Sequence, residues 1–348
     1  MSEKWRVFLG KKKDKNNLLL FVVSALIFLV VSIANPSVFL SGYNLRSMGG
    51  QMAEFGFFAI AMMISFLSGG IDISIVGVAN LVGVTVGFLF AGLGSDYQGA
   101  VLPFILLSFV IALVMGAAMG ALNGFLIAKF NIPPMLVTLG TSNLYMGIAV
   151  IITQAKTIIG FPEAVADFGN GGLGVFSAPL ILFILVAALT AFVLNGTRFG
   201  HELRFYGSNP KATAYSGINN QKVIIKTYMY CAMVSAVAGA MMVMRVNSAR
   251  ANFGTSYMFT SILCVILGGI SPMGGKGRLS GVVLSLVALQ LLSSGLNMMG
   301  VSAVLKDFIW GALLLAVMSM NFFSDRKKLT KKLAEPKQEK EAVPKRAA

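Results

Sequence analysis

The class of this protein is decided by residues 51–90, QMAEFGFFAIAMMISFLSGGIDISIVGVANLVGVTVGFLF. Two apolar runs of about 20 residues flank a short glycine-containing turn, and a run of that length crosses a bilayer as an α-helix. Only Glu54 and Asp72 carry a charge within the stretch. It therefore predicts two membrane-spanning helices joined by a tight turn.

The rest of the chain repeats this pattern. Its 348 residues are 56% hydrophobic and 12% charged, about half the charged fraction of a soluble domain. We predict an all-α polytopic membrane protein with about ten transmembrane helices. The predicted spans are residues 18–36, 47–67, 75–94, 101–128, 135–153, 178–195, 223–245, 257–271, 279–299 and 303–322. The longest predicted outer loop, 154–177, has room for one short helix.

The basic residues predict the orientation of the chain. The formal net charge is +15, and loops on the cytoplasmic side of membrane proteins carry an excess of Lys and Arg. Basic residues cluster in the N-terminus (1–17), a central loop (196–222) and the tail (323–348), which flank or interrupt the transmembrane domain (18–322). We expect both termini in the cytoplasm and a disordered tail. This distribution also argues against binding to nucleic acid.

The segment GGISPMGGKGR, residues 268–278, resembles a phosphate-binding loop but departs from it in spacing. That loop needs Gly, four residues, Gly-Lys and then Ser or Thr. Lys276 comes one place late, and Gly277 stands where the hydroxyl should be. Cys231 and Cys264 lie inside apolar runs, in a context that excludes a disulfide or a zinc site. We therefore predict no catalytic residue, metal or cofactor in this chain.

Glycine leads two turns on the predicted cytoplasmic side, SGGIDIS (68–74) and the segment 268–278. Glycine permits positive φ and close packing of the backbone. The residues singled out in these turns are Gly69, Gly70, Asp72, Ser74, Gly268, Gly269, Gly274, Gly275 and Gly277. A carboxylate at a membrane edge is costly unless it is hydrated or paired. We interpret Asp72 as a cap of the third span, with transport chemistry as the alternative.

The central loop contains a miniature helix, NPKATAYSG, residues 209–217. Asn209 suits the N-cap, Pro210 the first helical position and Gly217 the left-handed C-cap. A helix this short is unstable alone in water, so its flanking spans or a docking groove must hold it. It is either a turn lying on lipid headgroups or a helix presented to a soluble cytoplasmic protein.

These residues resemble the coupling-helix loop of ribose-type ABC importer permeases, within the superfamily of branched-chain amino-acid and monosaccharide permeases. The positions that match the family spacing are Gly207, Asn209, Ala212, Gly217 and Ile218. Pro210, as the first helical residue, and Tyr215, as an apolar contact, complete the predicted coupling site. The turns at 68–74 and 266–281 and the run NIPPMLVTLGT (131–141) are similar to three further motifs of that family. All four segments occur in the family's order.

The resemblance implies a permease of the bacterial inner membrane that imports a small neutral solute, such as the monosaccharides ribose, xylose or galactose. It implies four kinds of contact: cytoplasmic ABC ATPase subunits, an extracytoplasmic solute-binding protein, a second permease subunit and the lipid bilayer. ATP and magnesium would bind in the ATPase. ATP-driven movement of the coupling helix would switch the spans by alternating access.

Polar residues at helical spacing mark a candidate translocation path or contacts between helices. With the aromatic residues beside them, they are Gln51, Glu54, Phe55, Phe58, Asn80, Asn123, Thr138, Thr141, Asn143, Gln290 and Asn297. Packing is the simpler interpretation for the threonines, whereas the larger polar side chains are costlier to bury. Amides and hydroxyls beside aromatic rings suit a neutral polyhydroxyl cargo.

A stand-alone transporter driven by protons or sodium is the rival interpretation. Such proteins place ionisable residues inside the membrane, and Glu54 is the one good candidate in this sequence. A membrane enzyme has little support because the sequence contains no His or Cys cluster, paired carboxylates or nucleophile elbow.

Overall fold

The computed structural model describes residues 15–34, 36–174 and 176–334. The first helices are α1 (Lys15–Ala34), α2 (Pro36–Phe39), α3 (Gly42–Leu67), α4 (Ser74–Ala91), α5 (Leu102–Phe130), α6 (Pro134–Thr153) and α7 (Glu163–Asn170). A hairpin of β1 (Gly172–Leu173) and β2 (Phe176–Ser177) follows. The remaining helices are α8 (Ala178–Gly196), α9 (Arg198–Ser208), α10 (Pro210–Tyr215), α11 (Asn220–Val246), α12 (Tyr257–Leu267), α13 (Leu279–Met298) and α14 (Ala303–Ala334).

Seven helices of the described chain are long and apolar enough to cross a membrane, namely α3, α4, α5, α6, α8, α11 and α13. The multi-pass, mainly helical class is therefore confirmed. The count of about ten spans and the orientation of the termini stay predictions. Helix α1 is apolar over Asn17–Ile33, and α12 has only 11 residues.

Two predicted boundaries and the content of one predicted loop differ from the structure. The predicted eighth span, 257–271, ends early because Gly269 takes φ 78° directly after α12, a left-handed conformation that stops a helix. The predicted outer loop 154–177 holds a two-stranded hairpin as well as α7. Helix α14 continues to Ala334, into the first part of the predicted tail, while residues 1–14 and 335–348 lie outside the described residues.

Helices α3 and α11 form the centre of the bundle. In the most apolar 18-residue stretch of α3, 89% of the residues are buried, whereas in that of α8 only 22% are buried. Helices α5, α6 and α8 turn large apolar side chains outward, such as Leu106, Leu136 and Phe192. Such faces suit lipid or another membrane subunit.

Helix α5 packs on α11 through glycines spaced four residues apart. A Cβ atom at Gly116 would lie 2.8 Å from the carbonyl oxygen of Ala232, and one at Gly124 would lie 2.5 Å from Cα of Ile225. Only glycine allows the two backbones to approach this closely, as is common between membrane helices. This contact holds α11, which carries part of the site described below.

Candidate functional site

A cavity of about 340 Å³ opens at one end of the helical bundle. Its walls come from the N-terminal halves of α3, α12 and α14 and the C-terminal ends of α11 and α13. These ends all lie on the side that the charge distribution predicts to be outside. We call this space the outer cavity.

The outer cavity unites two of the predicted polar stripes. Gln51 and Phe55 of α3 face Gln290 and Asn297 of α13 across it. Nε2 of Gln290 donates to Oε1 of Gln51 at 3.3 Å. Both glutamine side chains are thus held in place and still border the cavity.

A buried ion pair forms part of the wall. Glu54 is 1% exposed, and its carboxylate accepts two hydrogen bonds from the guanidinium of Arg245, one of them from Nη2 at 3.0 Å. The hydroxyl of Tyr257 donates to Oε2 of the same carboxylate at 2.9 Å. A buried charge needs such partners, so Glu54 is a compensated anion rather than a free carboxyl group. Phe58, predicted on the path, stacks on the ring of Tyr257 at 5.5 Å between centroids.

Sequence reasoning missed several residues of the outer cavity, namely Arg245, Phe253, Tyr257, Thr260, Lys306, Asp307 and Trp310. A signal was available, because a carboxylate within an apolar span requires a partner and Arg245 ends the predicted seventh span. Lys306 lies beside the stripe of α13, with Nζ donating to Oδ1 of Asn297 at 2.6 Å.

The other predicted path residues do not line the outer cavity. Asn80 accepts from the backbone N–H of Gly254 at 2.9 Å, and Asn123 donates to Oγ of Ser74 at 2.7 Å. Thr138 connects α6 to the turn before α4, accepting from the N–H of Ile73 at 3.1 Å. These side chains hold elements together, which is the packing alternative that the sequence left open.

Two further predicted path residues lie on α6, away from the outer cavity. Thr141 donates to the carbonyl of Val137 within its own helix at 3.1 Å. Asn143 is exposed on the outward face of the helix. Neither residue has a contact that would place it on a route through this chain.

The predicted coupling loop and both glycine turns meet at the opposite end of the bundle. The N–H of Gly275 donates to the carbonyl of Leu67 at 3.0 Å. Nη1 of Arg204, in α9, donates to the carbonyl of Gly277 at 3.0 Å. A Cβ at Gly207 would lie 2.6 Å from the nitrogen of Gly275. The three segments therefore form one surface, which we call the inner surface.

Glycines make the inner surface possible. Gly69, Gly274 and Gly275 take φ values of 79°, 89° and 72°, a region that favours glycine. A Cβ at Gly274 would lie 2.9 Å from Cα of Gly207, so no larger residue fits without a shift. Of the remaining turn residues, Gly268 packs closely on the backbone of Val282, whereas a Cβ at Gly70 would lie 2.5 Å from the hydroxyl oxygen of Tyr228.

Asp72 lies within the turn that begins α4. It is fully buried, and its Oδ1 accepts from the N–H of Ser74 at 2.9 Å and from the hydroxyl of Ser74 at 2.6 Å. Burial raises the pKa of Asp72 to about 6. Asp72 thus binds the first residue of α4, while Ile73 takes the N-cap position without a side-chain cap. The capping role of Asp72 stays a prediction.

Helix α10 projects from the inner surface. Asn209 accepts from the N–H of Ala212 at 3.0 Å, and Gly217 ends the segment with φ 78°. Only Thr213 of the helix is buried, while Tyr215 is 93% exposed. Ile218 packs back against the core. The helix is thus anchored at its ends and exposed along one face.

Comparisons with known proteins give consistent matches. Residues 45–318 match a family described as the branched-chain amino acid transport system / permease component. The chain is 31% identical over 310 residues to a ribose import permease protein of Bacillus subtilis (strain 168), covering 87% of this chain and 90% of that protein. It is 31% identical over 268 residues to an autoinducer 2 import system permease protein of Escherichia coli (strain K12), covering 75% and 78%. No solved structure is significantly similar to the chain.

Proposed function

Because the chain belongs to the family of the branched-chain amino acid transport system / permease component, we propose that it is the permease subunit of an ATP-driven importer in the bacterial inner membrane. Its proposed partners are cytoplasmic ABC ATPase subunits, an extracytoplasmic solute-binding protein and a second permease subunit. ATP and magnesium bind in the ATPase, and alternating access carries the solute across.

The observation that carries the proposal is the exposed helix α10 on the inner surface. A helix of six residues is not stable by itself in water, and Tyr215 at its end is 93% exposed. A groove on a partner protein would bury this exposed face. The base of α10 rests on both glycine turns through Gly207 and Gly275. A displacement of α10 by a bound partner would therefore be transmitted directly to the ends of α3 and α12.

The proposed cargo is a small neutral solute, and within that class a monosaccharide. The outer cavity presents the amides of Gln51, Gln290 and Asn297 beside aromatic rings, groups that bind hydroxyls without favouring a charge. Arg245 on its wall is ion-paired with the buried Glu54, and the wall also carries one further charge of each sign, Lys306 and Asp307. A volume of about 340 Å³ lies at the lower end of small-molecule sites.

The ion pair also speaks against the rival function. A proton-coupled carrier needs a carboxyl group that gains and loses a proton during transport. Glu54 instead receives three hydrogen bonds, two of them from Arg245.

A pull-down from membranes tests the proposal. The variant carries Ala212→Glu on the exposed face of α10 and Gly217→Pro, whose ring cannot adopt φ 78°. The matched control carries the same two changes in the outer loop, at the exposed Ala164 and at Gly160, where φ is 89°.

We expect an ATPase subunit to co-purify with the wild-type chain and the control and to be lost from the variant. If no ATPase accompanies any of the three, and the wild-type chain alone transports solute in vesicles without ATP, the importer proposal is wrong and an ion-coupled carrier replaces it.

A further inference from the structure

A second cavity, of about 160 Å³, lies beside the outer cavity at the start of α3. We call it the arginine pocket. Arg46 and Gly50 of α3 line it, together with Ser177 at the start of α8 and Arg245. Arg245 separates the two cavities because it lines both.

Two hydrogen-bond donors of the arginine pocket have no partner. Ser177 is 3% exposed, and its hydroxyl makes no hydrogen bond. Nε of Arg46 is buried and is likewise without a partner. Buried polar groups in proteins are nearly always paired. Both donors line the same cavity, so one bound acceptor would satisfy both.

The floor of the pocket is the bare Cα of Gly50. A Cβ built there would lie 3.7 Å from Oγ of Ser177 and 3.9 Å from Nη1 of Arg245. Because Gly50 has no side chain, a space remains between the hydroxyl of Ser177 and the guanidinium of Arg245. Its size suits a tetrahedral oxyanion.

The charge of the pocket points to a singly charged anion. Glu54 compensates Arg245 through their ion pair. Arg46 has no ion pair within the described residues and leaves one positive charge. Its planar guanidinium matches the oxygens of a phosphate group, and a phosphodiester carries one negative charge.

The depth of the pocket matches a lipid headgroup. The 21 residues from Arg46 to Leu67 rise about 32 Å along α3, close to the thickness of the hydrocarbon core of a bilayer. Leu67 precedes the turn at the inner surface, so Arg46 lies at the level of the opposite headgroups.

Exposed apolar side chains lie in the pocket lining, at Tyr43, and in the hairpin that ends at the lining residue Ser177. Tyr43 is 86% exposed, and the cross-strand neighbours Leu173 and Phe176 are 77% and 56% exposed. Large apolar side chains this exposed suit acyl chains better than water, and aromatic residues gather at membrane interfaces.

We infer that the arginine pocket binds the phosphodiester of a phospholipid of the outer leaflet. Arg46 holds the phosphate with its free guanidinium, the hydroxyl of Ser177 donates to it, and the acyl chains lie along Tyr43, Leu173 and Phe176. The lipid would then pack against the outer face of Arg245 and support the wall of the outer cavity.

Native mass spectrometry of the detergent-purified full chain tests this inference. The probes are palmitoyl-oleoyl phosphatidylglycerol, the matching diacylglycerol, which lacks the phosphate, and inorganic phosphate as a competitor. The variants are Arg46→Gln, Ser177→Ala and Gly50→Ala. The added methyl of the last meets only ordinary contacts of 3.5 Å or more, so that variant should fold. Arg250→Gln, an arginine over the ring of Phe253, is the control.

We expect the wild-type chain and the control to retain phosphatidylglycerol but not diacylglycerol. Arg46→Gln should weaken retention about tenfold, the effect of one charge-assisted hydrogen bond. Gly50→Ala should weaken it because the added methyl takes up space in the pocket, and Ser177→Ala should weaken it less than Arg46→Gln.

Equal retention of diacylglycerol would overturn the inference, as would full retention by both Arg46→Gln and Gly50→Ala. Displacement of the lipid by equimolar inorganic phosphate would show a site for a free anion instead. Loss of an extracytoplasmic protein from Arg46→Gln with lipid binding intact would assign the pocket to a protein carboxylate.

Discussion

Arg245, in the last turn of α11, forms a bidentate ion pair with Glu54, which lies 191 positions earlier in α3. The pair joins two central helices at the point where the outer cavity begins. The pair compensates the buried carboxylate of Glu54 and fixes it beside the wall of the cavity.

Glu54→Gln should destabilise the chain, because it leaves Arg245 without its anionic partner. Loss of one partner of a buried pair costs about 3 kcal/mol, whereas replacement of both by apolar residues is often tolerated. The thermal midpoint in detergent should fall for Glu54→Gln and recover in large part for Glu54→Met with Arg245→Met. An equally low midpoint for the double variant would contradict this account. Uptake by Glu54→Gln should still depend on ATP.

Tyr215→Ala should weaken the capture of an ATPase subunit by about tenfold or more, since exposed aromatic residues at interfaces are frequent hot spots. The thermal midpoint of the chain should not change, because the side chain is 93% exposed. Ser216→Ala, at the end of the same helix, serves as the control. If Tyr215→Ala lowered both the thermal midpoint and the capture of the ATPase subunit, Tyr215 would stabilise the fold rather than bind the partner.

Gly207→Ala should displace the coupling loop from the inner surface. The new methyl would lie 2.6 Å from the nitrogen of Gly275, and overpacking of this kind costs about 1–3 kcal/mol. Gly140→Ala in α6 meets nothing within 4 Å and should be neutral or slightly stabilising. Protease sensitivity of the loop 196–222 and the thermal midpoint check both variants, and equal behaviour of the two would count against the packing described here.

Gln290→Ala should raise the KM for uptake of ribose about tenfold, because it removes an amide from the outer cavity and frees Gln51 of its hydrogen bond. Asn143→Ala, on the outward face of α6, should leave the KM unchanged. Uptake of labelled ribose by the reconstituted importer measures both. A rise in KM for Asn143→Ala alone would move the path away from the outer cavity.

Asp72 should make stability depend on pH. Its pKa is raised from 3.8 to about 6 in the folded chain, so the folded state binds this proton more tightly than the unfolded state. The stabilising contribution is complete below pH 3.8 and is lost as the pH rises through 6. Asp72→Asn keeps an oxygen for the N–H of Ser74 and should be insensitive to this change.

The measurement for Asp72 is the thermal midpoint at pH 4 and pH 7. Between them the wild-type chain should lose on the order of 2 kcal/mol relative to Asp72→Asn. If the difference in thermal midpoint between the wild-type chain and Asp72→Asn were the same at pH 4 and pH 7, Asp72 would keep one protonation state across this range.

Several features were predictable from the sequence because they depend on neighbours along the chain. Apolar runs of sufficient length predicted the helices that can span a membrane. The order Asn209, Pro210 and Gly217 predicted the bounds of a short helix, because caps are local hydrogen bonds and local φ values.

The early end of α12 was harder to predict. Residues 257–271 carry no charged side chain, so composition predicted that the helix continues to residue 271. In the structure Gly269 adopts φ 78° and the N–H of Ser271 donates to the carbonyl of Lys276 at 3.0 Å, so the chain turns back instead. A glycine permits either course, and the contacts of Gly274 and Gly275 with the coupling loop favour the turn.

The sequence by itself determined the membrane class, most of the helices and the places of the turns, because burial of apolar length and local capping need no knowledge of distant residues. Only the tertiary structure decided which polar stripe faces a cavity. A stripe at helical spacing looks the same whether it borders the outer cavity, as Gln290 does, or holds a neighbouring helix, as Asn123 does. The rotation of each helix about its axis makes that difference, and it is set by contacts between residues far apart in the chain, such as Glu54 and Arg245.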